Sequence, residues 1–110
     1  MRTITSAADI DRLFNSGRRT SSRALVVLVA STPEARAQDG RVLFVAGKKL
    51  GSAVFRNRCK RVLRAAVQRC GGPWVGLDVA LVSRQGTAVA SPGDIDAVLR
   101  SALPGSGDPA

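Results

Sequence analysis

The sequence GKKLGSAVFRNRCKRVLRAAVQR, which occupies residues 47 to 69, predicts the longest helix of the chain, over about residues 53 to 70. Ser52 precedes this helix and is placed to cap it, because a serine hydroxyl accepts a hydrogen bond from the free N–H groups of a first turn. Gly71, Gly72 and Pro73 are typical of a helix end. At about 100° per residue the segment divides into two faces. The apolar face holds Phe55, Cys59, Val62, Leu63, Ala66 and Cys70, and the opposite face holds Asn57, Lys60, Arg61 and Arg64.

The net charge of the chain is concentrated around this helix. Residues 40 to 77 contain nine basic side chains and no acidic one: Arg41, Lys48, Lys49, Arg56, Arg58, Lys60, Arg61, Arg64 and Arg69. The remaining residues carry eight basic and eight acidic side chains, so the net charge of +9 belongs to the middle of the chain. A block of one sign builds a local potential that attracts a polyanion, and nucleic acid is the first candidate. A solvated helix surface is the alternative.

Length and composition favour one small domain. A chain of 110 residues buries about two thirds of the surface that its unfolded form exposes. We expect a single domain over residues 1–110, with an ordered core over about residues 6–103 and a flexible tail at residues 104–110. The longest apolar run, residues 24–30, is much shorter than the roughly 20 residues that cross a bilayer, and the N-terminus lacks the apolar segment of a signal peptide. We therefore expect a cytoplasmic protein without a membrane partner.

Side chains for protein-based catalysis are scarce. The sequence has no histidine, and its two cysteines, Cys59 and Cys70, lack the spacing of a zinc-binding pair. On one helix they lie about 16 Å apart, too far for a disulfide. The pairs Asp9/Asp11 and Asp94/Asp96 fall in the first turns of helices, which favours dipole and capping roles over metal binding. We expect no catalytic residue and no metal ligand in the protein itself.

The other elements are read from periodicity and turn residues. The expected helices are residues 6–16, capped by Ser6, and a last helix that starts at Ser91 and ends at Pro104. The expected strands are residues 24–30, 41–47 and 75–83, with a further short strand over about residues 18–22. A surface loop of about ten residues joins the strands at 24–30 and 41–47, and this length favours an antiparallel pair. The element order predicts an α/β sandwich with one β-α-β unit.

The segment quoted above resembles the signature of the bacterial ribonuclease P protein family. In that signature a Lys-Lys-x-Gly-x-Ala-Val turn leads into Arg-Asn-Arg-x-x-Arg and further basic residues. The matching positions are Lys48, Lys49, Gly51, Ala53, Val54, Arg56, Asn57, Arg58, Lys60, Arg61 and Arg64. Phe14, Gly17 and Arg18, followed by the strands at residues 43–46 and 77–84, extend the resemblance over nearly all of residues 9–103.

The resemblance implies a fold and a function. The fold is a two-layer α/β (α+β) sandwich with three helices and a small mixed sheet of three to four strands. Its β-α-β crossover is left-handed, whereas about 98% of such units are right-handed. The function is that of the protein subunit of ribonuclease P, which binds the RNA subunit and the 5′ leader of precursor tRNA. The resemblance also implies one protein per RNA subunit, and Mg²⁺ that acts on the RNA rather than at a protein-built site.

Residue roles also follow from the resemblance. It implies that the helix residues Arg56, Asn57, Arg58, Lys60, Arg61 and Arg64 contact RNA and that Lys48 and Lys49 bind phosphate. On spacing alone, the segment of the two lysines is as consistent with a plain strand-to-helix turn as with a phosphate-binding turn. Phe14 and Arg18 are candidates for the cleft that holds the leader, although core packing competes evenly with stacking for Phe14. Many relatives have a second aromatic residue where Ile10 stands. A basic ribosome-associated or RNA-chaperone protein, and a nuclease that acts without RNA, are the rival functions.

Overall fold

A computed structural model of the chain describes Ile4, residues 7–31 and residues 40–103. The predicted Ser6 cap, most of the loop between the first long strands, the helix end at Pro104 and the tail at residues 104–110 lie outside these residues. Within them, no helix combines the length and apolar character that crossing a membrane requires.

The described residues form three α-helices and a four-stranded mixed sheet, which confirms the α+β class. In chain order the elements are α1 (Ala7–Ser16), β1 (Arg18–Ser21), β2 (Leu25–Ser31), β3 (Arg41–Val45), a 3₁₀ turn (Lys48–Leu50), α2 (Ala53–Arg69), β4 (Leu77–Ser83) and α3 (Pro92–Ala102). The short strand expected near residue 18 is β1.

The strand order corrects one prediction. The sheet runs β1-β2-β4-β3, with β2 antiparallel to β1 and β4, and β3 parallel to β4. The expected antiparallel pair of β2 and β3 is wrong, because β4 lies between them. Nearly every residue of β4 is buried, which is typical of a central strand covered on both faces. Among the described residues, α2 is the only connection between two parallel strands, β3 and β4. That this β-α-β crossover is left-handed stays a prediction.

Alternating strand residues face two different helix layers. The side chains of Leu25, Val27, Val29, Val42, Val79 and Leu81 pack with α2 and α3, and those of Val26, Leu28 and Ala80 pack with Leu13 of α1 and with Ile4. α2 contributes Cys59, Leu63, Ala66 and Val67 as buried residues. Phe55, Val62 and Cys70 of the predicted apolar face are half-buried. The cationic side of α2 is therefore turned away from the core.

The ends of α2 follow the predicted signals. The Ser52 hydroxyl accepts a hydrogen bond from the Phe55 backbone N–H at 3.2 Å, which confirms the cap. At the other end, the Gly72 backbone N–H donates to the Val67 carbonyl at 2.8 Å, and Gly71 adopts a φ of 84° that favours glycine. These contacts define where α2 begins and ends, while its buried residues on the core set the direction of its cationic side.

Candidate nucleic-acid interface

The eight residues predicted to bind RNA lie on the 3₁₀ turn and on the first twelve residues of α2. Six of them are exposed: Lys48, Lys49, Asn57, Arg58, Arg61 and Arg64. Arg56 and Lys60 are half-buried, and the buried Nε of Arg56 has no hydrogen-bond partner in the described protein. Among the residues that the structure describes, no carboxylate lies within ion-pair distance of these seven cations. The turn and the helix thus present unneutralised positive charge.

The two lysines are held beside the start of α2 by backbone contacts. Gly51 joins the 3₁₀ turn to α2 with a φ of 147°, and a Cβ there would lie 3.3 Å from the Phe55 ring. On the other side of the turn, the Gln85 side-chain amide donates to the Leu50 carbonyl at 2.8 Å. The loop after β4 is thereby tied to the turn that carries Lys48 and Lys49. Gln85 was not predicted from the sequence to have this role.

Arg64 is oriented by an aromatic ring. Its guanidinium carbon lies 5.3 Å from the centroid of the Phe44 ring on β3, which is a cation–π contact. Phe44 is half-buried and packs against the core, while Arg64 remains exposed. The ring restricts the arginine without neutralising it, so the charge remains available to an anion.

Two members of the basic block are neutralised by carboxylates of the protein itself. Arg41 is buried and bonds Asp78 and Asp9, and Arg69 of α2 forms an ion pair with Asp96 of α3 at 2.9 Å. The hydrogen bond to Asp78 raises the pKa of Arg41, and the hydrogen bond to Asp96 raises the pKa of Arg69. The excess charge that faces solvent is therefore smaller than the count along the sequence.

The Arg41 pair is part of a buried charge cluster that fastens α1 to the sheet. The cluster consists of Asp9, Arg12, Arg41 and Asp78. Asp78 accepts from Arg41 Nε at 2.9 Å, from Arg41 Nη2 at 2.6 Å and from Arg12 Nη2 at 3.0 Å, while Arg41 Nη1 donates to Asp9 at 3.2 Å. Two of these residues belong to α1 and two belong to strands. From the sequence Asp9 was expected to have a dipole or capping role, and the cluster was not predicted.

The two candidates for a leader cleft are placed on different faces of the sheet. Phe14 is 44% exposed at the C-terminal end of α1, and its neighbour Leu13 fills the core position instead. Arg18 lies opposite Val29 in the β1/β2 register, and Val29 packs with the α2/α3 layer. Residues directly opposite in a ladder point to the same face, so Arg18 faces away from α1. The structure therefore places Phe14 and Arg18 on different faces, and a role in leader binding stays a prediction for both.

Within the described residues, no group of three or more His, Cys, Asp or Glu side chains could hold a metal ion. Neither Cys59 nor Cys70 forms a disulfide, and burial raises the pKa of both thiols.

Comparisons with known proteins give one consistent result. The family model described as ribonuclease P matches residues 1–104. The ribonuclease P protein component of Syntrophomonas wolfei is 35% identical over 89 residues, covering 80% of this chain and 72% of the relative. That of Gluconacetobacter diazotrophicus is 34% identical over 105 residues, covering 90% and 89%. The solved structure of the Staphylococcus aureus RNase P protein superposes with a TM-score of 0.74 at 25% identity, covering 94% of this chain and 93% of that one.

Proposed function

Because the chain belongs to the bacterial ribonuclease P protein family, we propose that its 3₁₀ turn and the cationic side of α2 bind the RNA subunit and the 5′ leader of precursor tRNA. The family resemblance inferred from the sequence is confirmed. The chain functions as the protein component of ribonuclease P, an endoribonuclease holoenzyme that matures the 5′ end of tRNA. Its partners are the RNA subunit of that enzyme and the tRNA substrate.

The observation that carries the proposal is a set of seven cations on one turn and helix that have no carboxylate partner among the described residues. Each lysine or arginine that neutralises a phosphate releases condensed counterions, and this gain does not depend on base sequence. A helix keeps the spacing of its side chains fixed, so the same contacts form with different leaders. Asn57 is the one uncharged member, and its amide can both donate to and accept from a nucleotide.

Within this proposal the protein positions strands and does not cut them. Phosphodiester hydrolysis belongs to the RNA subunit and its Mg²⁺, and one protein serves one RNA subunit. Cations on α2 lower the repulsion between the leader and the RNA subunit, so the protein's contribution is largest at low ionic strength. The rival function of a basic ribosome-associated or RNA-chaperone protein is not favoured, because the reported relatives are ribonuclease P proteins.

Reconstitution tests the proposal. The purified protein is added to a ribonuclease P RNA at low Mg²⁺, and precursor tRNA cleavage is timed. We expect acceleration by the complete chain and no cleavage by the protein alone. Arg58→Ala and Arg61→Ala should each flatten the dependence of log affinity on log salt by about 0.7 to 0.9. Arg100→Ala removes the same charge from the exposed side of α3 and should leave the slope unchanged. Absence of acceleration would contradict the function, and unchanged slopes would remove these arginines from the interface.

A further inference from the structure

Arg64 of α2 and Phe44 of β3 are brought together by the packing of the helix on the sheet. Phe44 lies opposite Leu81 in the β3/β4 ladder, and Leu81 is buried in the α2/α3 layer. Residues directly opposite in a ladder point to the same face, so the Phe44 ring faces α2. The Arg64 guanidinium carbon lies 5.3 Å from the centroid of this ring. The ring therefore adjoins the predicted RNA-binding residues, although it belongs to a strand.

The Phe44 ring is held more firmly than the side chain that it contacts. Phe44 is half-buried and packs against the main core, which limits the motion of its ring. Arg64 is exposed, and a long arginine side chain on a helix surface samples many rotamers. Contact with the ring restricts these rotamers before RNA binds. Because ordering a long side chain costs free energy on binding, a guanidinium that is already held binds a phosphate more tightly.

A ring holds an arginine without neutralising it, whereas a carboxylate removes the charge. Arg69, on the same helix, donates to both carboxylate oxygens of Asp96 and forms an ion pair with it at 2.9 Å. A phosphate would have to compete with that carboxylate. Arg64 has no carboxylate partner among the described residues, and the cation–π contact leaves its charge in place. Arg64 is therefore oriented and still able to attract an anion.

We propose that Phe44 is a positioning residue for RNA binding, whose ring holds the Arg64 guanidinium in the orientation in which it pairs with an RNA phosphate. The inference rests on the proposed function and adds a residue that lies outside the 3₁₀ turn and α2. Phe44 acts through Arg64 and does not itself contact RNA. The competing account is that the Phe44 ring only fills space against the α2/α3 layer, and the two accounts predict different results.

A double-mutant cycle tests the proposal. Affinity is measured at several salt concentrations for the protein with ribonuclease P RNA and for the reconstituted holoenzyme with precursor tRNA. The cycle is read in the complex that Arg64→Ala weakens. Phe44→Leu removes the ring but keeps an apolar side chain, and should weaken binding about two- to fivefold, because Arg64 is then ordered only on binding. Its salt dependence should not change, since every charge remains. Once Arg64 is alanine, Phe44→Leu should have no further effect.

Two controls distinguish positioning from a loss of folding. Phe44→Tyr keeps a ring at this position and should bind RNA as the unaltered protein does. Phe44→Leu and Arg61→Ala should have additive effects, because Arg61 is exposed on the same helix and has no ring contact among the described residues. Thermal unfolding shows whether each variant is folded at the assay temperature. Phe44→Met takes the place of Phe44→Leu in the cycle if the leucine variant is unfolded there.

The contrary outcomes are distinguishable. An unchanged affinity for Phe44→Leu, an equal loss with and without Arg64, or an equal loss for Phe44→Tyr would leave Phe44 with a packing role alone. Coupling to Arg61 as strong as coupling to Arg64 would contradict the specific contact. If Arg64→Ala weakens neither complex while Arg58→Ala and Arg61→Ala flatten the salt dependence, this inference fails and the proposed function stands. If none of the three arginine variants has an effect, the proposed function fails as well.

Discussion

Replacing Asp78 with asparagine should destabilise the fold by about 3–5 kcal/mol, the usual effect of removing one partner from a buried ion pair. The Asp78 side chain has no exposed surface, and that of Arg41 is only 8% exposed. Asparagine keeps the shape but removes the negative charge, and its NH₂ group turns a donor toward two guanidinium groups. Arg41 would then retain only Asp9, at 3.2 Å, as a charged partner. The buried Arg41 guanidinium would then keep its positive charge with one carboxylate contact.

This loss is a large share of the total stability, which is about 5–15 kcal/mol for a domain. At the usual unfolding entropy per residue, each kcal/mol lowers the Tm of a 110-residue domain by about 4.3 °C, so the expected fall is about 13–22 °C. Thermal unfolding followed by circular dichroism measures the fall. Urea unfolding should show a lower midpoint with an unchanged m value, because the folded surface is the same.

Asp11→Asn is the matched control, since it makes the same chemical change at an exposed position of the same helix. Its effect should stay within about 0.5 kcal/mol. A loss below about 1 kcal/mol for Asp78→Asn, or an equal loss for both variants, would refute the reasoning. The cluster would then contribute no more to stability than a surface ion pair.

The sequence predicted α2 well because its determinants are local. The Ser52 cap needs only the N–H group three residues later, and the two faces follow from helical spacing. Val67 was left out of the predicted apolar face, although it lies four residues after Leu63 and is buried. A Cβ at Gly72 would lie 2.5 Å from Val67, which shows how closely the chain turns back over this residue.

The sheet order and the charge cluster depend on contacts between distant residues. Arg41 was counted as part of the basic block because its partners, Asp9 and Asp78, lie 32 and 37 positions away. In the parallel ladder of β3 and β4, however, Arg41 lies directly opposite Asp78. Opposite charges at the starts of two apolar strands were a signal for that pairing. This signal was not used, because β3 was expected to pair with β2.

Which face of the sheet a strand residue occupies could not be predicted from the sequence alone. Arg18 and Arg19 are chemically equivalent in the sequence, and only the register with β2 decides which of them shares a face with α1. A shift of one residue exchanges the two faces completely. The face that a helix residue occupies could be predicted from spacing alone, whereas the face of Arg18 or Arg19 required the register with the partner strand.

Two further predictions concern the thiols and Phe14. Cys59 should resist iodoacetamide at neutral pH in the folded protein and react in denaturant, because it is buried and burial raises its thiol pKa. Half-buried Cys70 should react faster than Cys59, but more slowly than it does in the unfolded chain. Mass spectrometry measures both rates, and equal rates for the two thiols in the folded protein would contradict this. Phe14→Leu should change stability by less than about 1 kcal/mol, because the side chain is 44% exposed, while weakening leader binding through a lost stacking surface. Leu13→Ala, at the buried neighbouring position, should instead lower the Tm strongly. A Tm loss for Phe14→Leu that approaches the Leu13→Ala loss, with leader affinity unchanged, would assign Phe14 to the core.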